Sequence, residues 1–104
     1  MSNVLEPDKV SQCVTPPPMW AVLFHNDDYT SFDAVIMILV EIFSYTVEKA
    51  EAFAQQVHEK GQGVVGVYTK DVAQTKQQMA MEWANAHDMP LLLTLDPVDA
   101  THGQ

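Results

Sequence analysis

The sequence has no arginine, a single cysteine (Cys13), and no apolar run longer than A-V-I-M-I-L-V at Ala34–Val40. Each absence excludes something. One thiol cannot close an intramolecular disulfide or build a thiolate metal cluster. Without arginine there is no bidentate fork for phosphate, and five lysines stand against fourteen acids for a formal net charge of -9, so nucleic acid is a poor partner. The longest apolar run falls far short of the roughly 20 residues a membrane helix needs. The opening M-S-N-V-L-E-P-D has neither the basic region nor the apolar core of a signal peptide, so a soluble, cytoplasmic protein without a membrane partner is expected. An acidic field speeds encounter with cationic partners or basic peptide segments, although it more often serves only solubility.

A chain of 104 residues, 47% of them apolar, is the size of one domain with one core. The composition shifts at T-P-P-P, Thr15 to Pro18. Residues 1–17 lack any sustained period and read as a flexible arm ending in a stiff polyproline elbow; a core domain follows over 18–96, then a disordered acidic tail over 97–104. Within the core, M-W-A-V-L-F-H has the length and pattern of a strand. Phe32, Val35, Ile36, Leu39, Ile42 and Phe43 recur at helical spacing. Thr46 can cap a second helix carrying Val47, Ala50, Phe53, Ala54 and Val57, which Gly61 ends in the left-handed conformation. G-V-V-G-V-Y reads as a strand in which Gly66 marks a bulge or a close backbone approach. Thr69 caps a third helix with Val72, Ala73, Ala80, Trp83 and Ala84 on one stripe, where Lys76 is the odd polar member. P-L-L-L-T-L gives the last strand. The expected fold is therefore α+β, a three-stranded antiparallel sheet with three helices packed on one face, in the order β-α-α-β-α-β.

Between the first strand and the first helix lies H-N-D-D-Y-T-S-F. Thr30 and Asp33 have the spacing of a capping box, in which the hydroxyl takes a free backbone N–H and the acid returns toward the cap. That leaves Asn26, Asp27 and Asp28, which are either an Asx-rich turn or a socket for a cation. His58 falls at the edge of the second helix's apolar face, as a helix-end histidine or as a functional group. The histidines at 25, 58, 87 and 102 show no metal spacing, and no nucleophile with a paired base is visible, so neither a metal, a cofactor nor catalysis is expected.

Taken together, N-D-D-Y-T at 26–30, V-H-x-x-G at Val57–Gly61, G-V-Y-T-x-x-V-A-x-T-K at Gly66–Lys76 and P-L-L-x-T-L at Pro90–Leu95 resemble the ClpS family, over roughly residues 18–96. These are bacterial adaptors that deliver N-degron substrates to the ClpAP protease. The resemblance implies a fold like the C-terminal domain of the ribosomal stalk protein. It further implies that Asn26, Asp28 and His58 surround the substrate's α-amino group, with Asp27 adding charge or holding water. An ammonium offers three donors, and each needs an acceptor once water leaves. Phe32, Val35, Ala54, Val57 and Leu91 would form the pocket for a bulky first side chain, Leu, Phe, Tyr or Trp, with Thr30 at its rim. Asp71 and Lys76 would contact the N-terminal domain of the ClpA unfoldase, and the arm would be engaged during handoff. Where the family commonly has proline then methionine, this chain has Ser31 and Phe32, and Ala54 replaces another common methionine. A rigid ring at the mouth and a small residue at the base imply a pocket that favours flat aromatic residues over leucine. Two other readings of the same residues are a small enzyme using Asp28 and His58 as an acid–base pair, and a stalk-like interaction domain that ignores N-termini.

Overall fold

A computed structural model describes residues 17–98. All but the last residue of the expected arm, residues 1–16, and the end of the expected tail, residues 99–104, lie outside the described residues. The elements are β1 (Met19–His25), α1 (Phe32–Glu41), α2 (Val47–Lys60), β2 (Gln62–Thr69), α3 (Lys70–Ala86) and β3 (Leu92–Val98). The sheet order is β2-β1-β3, with β1 antiparallel to both neighbours. The order and pairing match the expected α+β class. β3 runs on through Pro97 and Val98, two residues into the segment read as tail. Val98 pairs with Met19, and a proline is tolerated on an edge strand.

Alternation along the strands assigns the faces. Val22, Phe24, Val65 and Leu93 are buried while Val64, Val67 and Leu92 are exposed, so the helices cover one face of the sheet. Ile38 and Leu39 of α1, Ala50, Phe53 and Val57 of α2, and Ala73, Ala80 and Ala84 of α3 complete a single core. The alanines of α3 let that helix lie close to the sheet. Phe53 meets Phe24 and Tyr45 edge-on, with ring centroids 6.1 and 5.7 Å apart.

The capping box at Thr30 is not formed. Ser31 is the N-cap of α1, its Oγ accepting from the Ala34 N–H at 3.1 Å, while the Thr30 hydroxyl donates to Asp27 Oδ2. The second helix follows expectation: Thr46 Oγ1 accepts from the Lys49 N–H at 3.1 Å, and Gly61 ends the helix at φ 92°, its N–H on the Val57 carbonyl at 2.8 Å. Thr69 holds the N-cap position of α3 but makes no side-chain capping bond.

Gly66 marks both features expected of it. The β1–β2 register shifts between Val22, opposite Gly66, and Leu23, opposite Val64, leaving Val65 as the extra residue of a bulge. A Cβ at Gly66 would also run into the Tyr68 ring, 2.6 Å from Cζ. The freed Val65 carbonyl accepts the Tyr45 hydroxyl at 2.6 Å. Burial pushes the Tyr45 phenol above its ordinary value, and nearby Tyr68, itself raised by burial, adds to the rise.

Candidate functional site

Where β1 ends, the chain must leave the sheet and enter α1 within six residues, and the Asp27 side chain builds that turn. Its Oδ1 accepts the Tyr29 and Thr30 N–H groups, both at 2.7 Å, and its Oδ2 accepts the Thr30 hydroxyl at 2.8 Å. This is the Asx-turn chemistry expected of an aspartate at a chain reversal. Of the two adjacent carboxylates, one is thus committed to the loop. Asp28 is exposed and makes no hydrogen bond or ion pair among the described residues. The Asn26 N–H donates to the Gly61 carbonyl at 2.9 Å. Since Gly61 closes α2, this bond fixes the acceptor loop in register with the last turn of that helix, where His58 sits.

The end of β1, the loop, α1, α2 and Leu91, just before β3, enclose a cleft of about 380 Å³. All ten residues expected to bind a substrate line it: Asn26, Asp27, Asp28 and His58, together with Thr30, Phe32, Val35, Ala54, Val57 and Leu91. Ala54, Val57 and Leu91 are buried, each at most 5% exposed, whereas Phe32 is 45% exposed. The apolar members therefore grade from a covered base to an open mouth. Asn26, Asp28 and His58 are exposed, so the acceptors form the wet rim. No lysine lines the cleft, which concentrates negative charge there.

Three further residues line the cleft that the sequence did not single out: Phe24, His25 and Gln55. Gln55 lies three residues before His58 on α2, a spacing that puts both on one side of the helix, and this signal was present in the sequence. His25 ends β1, and its Nε2 is 2.8 Å from Thr94 Oγ1 on β3. A roomier groove of about 750 Å³ runs beside α3, but its lining has one carboxylate, Glu82, among amides and apolar groups, and no histidine. It offers no comparable set of cation acceptors. Among the described residues, no three or more His, Cys, Asp or Glu side chains are grouped so as to hold a metal ion, and no helix is long and apolar enough to cross a membrane.

Asp71 and Lys76 do not form one exposed charged patch. Asp71 is exposed in the first turn of α3. Lys76 is half-buried: its Nζ donates to the Ile42 carbonyl at 2.8 Å and lies 5.7 Å from the Phe43 ring centroid and 5.5 Å from that of Tyr68. A helix end leaves carbonyls without intrahelical donors, and Lys76 supplies one to α1 from 34 residues away.

Comparison with known proteins bears on what such a cleft serves. Residues 15–94 match the family model of the ATP-dependent Clp protease adaptor protein ClpS. The ClpS adapter proteins of Enterobacter sp. (strain 638) and Citrobacter koseri are each 42% identical over 92 residues, 88% of this chain and 87% of the relative. The structure of Agrobacterium tumefaciens ClpS2 bound to L-phenylalaninamide superposes with a TM-score of 0.78 at 29% identity, covering 80% of this chain and all of that one. With the motifs, the fold and these matches in agreement, the chain belongs to the ClpS family of adaptors of the ATP-dependent Clp protease.

Proposed function

We propose that the cleft captures the first residue of a polypeptide and that the protein delivers it, without chemistry of its own, to a ClpA-type unfoldase. The observation that carries this reading is the joining, in one cleft, of a rim of acceptors with a buried apolar base. Asn26, Asp28 and the His58 ring offer lone pairs to the three donors of an α-ammonium, while Asp27 holds the loop and adds charge. Ala54, Val57 and Leu91 receive the side chain, whose burial is worth about 1.5–3 kcal/mol for a Leu- or Phe-sized group. L-phenylalaninamide, held by the Agrobacterium relative, has these same features: a free amine, a bulky apolar side chain and an amide in place of the next peptide bond.

Phe32 at the mouth and Ala54 at the base favour Phe, Tyr and Trp over Leu as the first residue. Exposed Asp71 faces the unfoldase's N-terminal domain, and Lys76 contributes by holding the helices that shape that surface. Tethering then raises the local substrate concentration at the unfoldase.

The test is a fluorescence titration with peptides that differ only in the first residue and its acetylation. Acetylation removes the charge and two donors, and should weaken binding by about 2 kcal/mol, roughly thirtyfold, the low end for loss of a paired charge because the rim is wet. Phe and Trp peptides should bind more tightly than a Leu peptide. Equal affinity for free and acetylated peptides would remove the proposal and favour a stalk-like domain indifferent to N-termini; a Leu peptide ranked well above Phe and Trp would remove the aromatic preference alone.

A further inference from the structure

His25 opens the H-N-D-D-Y-T-S-F stretch but stands outside the motifs that carry the family resemblance, and it lines the cleft one residue before the acceptor loop. Its ring is held in place: Nε2 lies 2.8 Å from Thr94 Oγ1, across the β1–β3 pair. A hydroxyl can donate to a neutral imidazole nitrogen or accept from a protonated one, so this bond persists when the ring gains a proton. Protonation therefore changes the charge of the cleft without releasing the side chain. Histidine is also the side chain that ordinarily changes charge between about pH 5 and 8.

We propose that His25 is a positioning residue that makes capture of a cationic N-terminus sensitive to acid, its ring becoming a fixed positive charge beside the site of the ammonium. The inference rests on the amine-capture reading and adds a residue to it. The surroundings allow the charge to act on the guest. β2 presents uncharged Gln62 opposite His25, and β3 presents Leu92 and Thr94. The nearest charge on β3, Asp96, pairs opposite Ala21, farther back along the strand. The other titratable groups of the cleft are Asp27 and Asp28 of the loop and His58 of α2. Asp27 is occupied by its own loop, which leaves Asp28 as the free anion that imidazolium and ammonium would share.

Acidification places like charge next to the guest, so affinity falls, and it falls further than His58 alone would cause. Two unit charges in one water-exposed cleft repel enough to cost about fourfold in affinity.

The experiment compares affinities for a free-amine Phe peptide at about pH 7.5 and about pH 5.5, in the parent chain, His25→Gln and His25→Val. His58, Asp27 and Asp28 are common to all three, so their titration cancels in the comparison of ratios. The ratio between the two pH values should shrink by roughly fourfold in both variants. Glutamine can keep a bond to Thr94 and valine cannot, so a shared shrinkage assigns the effect to charge. An unchanged ratio in both variants, or shrinkage in His25→Val alone, overturns the inference while leaving amine capture intact. A parent chain that does not distinguish the free from the acetylated peptide at about pH 7.5 removes the inference together with its basis.

Discussion

Asp27 is the residue where a structural and an electrostatic role can be separated most cleanly. If its carboxylate serves mainly to fold the loop, Asp27→Ala abolishes three hydrogen bonds at once, two to backbone N–H groups and one to the Thr30 hydroxyl. A net bond is worth about 0.5–1.5 kcal/mol, and more when the acceptor is charged. Tyr29 is exposed and its N–H is rehydrated when the acceptor is lost, so that bond falls at the low end. The sum is about 2 kcal/mol, or roughly 10 °C in melting temperature for a domain of this size. Asp27→Asn keeps an oxygen for the two N–H groups and turns an amide toward Thr30, whose hydroxyl can then accept instead of donate. It should lose less than about 1 kcal/mol.

Thermal melts and peptide titrations on both variants supply the assay. A loop-building role predicts that alanine lowers stability and affinity together, whereas asparagine keeps most of both. Were the carboxylate chiefly a direct counter-charge to the ammonium, the two variants would lose affinity alike and neither would melt early. That second pattern would refute the assignment of Asp27 to the loop and restore both adjacent acids to the rim.

Lys76→Met keeps the alkyl packing but removes the donor to the Ile42 carbonyl and the charge between the Phe43 and Tyr68 rings, so it should cost about 1–2 kcal/mol in urea unfolding; parent-like stability with lost unfoldase docking would instead mark Lys76 as a direct contact. Gly66→Ala should cost about 1–3 kcal/mol in the same measurement, because the new methyl would displace a Tyr68 ring that packs on Phe43; an unaffected variant would show that the ring moves freely. Alkaline stability gives a test with a definite sign. The Tyr45 phenol is held neutral by burial, so its folded value lies above the unfolded value of about 10; its contribution is complete below that pH and is lost as the pH rises through the folded value. Tyr45→Phe should therefore flatten the decline of stability between about pH 9 and 11, while Tyr68, also raised, keeps part of it in both chains.

Element order and type were legible because each helix and strand carries its own period, and because Thr46 and Gly61 punctuate α2 with chemistry that no distant residue contests. Thr30 shows where that legibility stops. Its spacing to Asp33 satisfies a capping box, but the helix begins one residue later with Ser31 as its cap, and the Thr30 hydroxyl donates to Asp27 in a turn that the spacing does not describe. Lys76 left a visible mark, a lysine on an apolar stripe, yet its acceptor lies 34 residues away on α1 and only the packed fold names it. The cleft was legible in a different way. On pattern alone Ala54, Val57 and Leu91 are core residues, and the structure both buries them and sets them in the lining of the cleft. The cleft is the end of the core left unfilled, where Ala54 is small and the chain spends its polar side chains on a loop in place of a lid. Periodicity reports which residues face inward but not whether the space they face is filled. The motif resemblance pointed to ten residues of that lining, and it could not do so for His25, which stands outside the motifs that carry the resemblance and lines the cleft because β1 ends there.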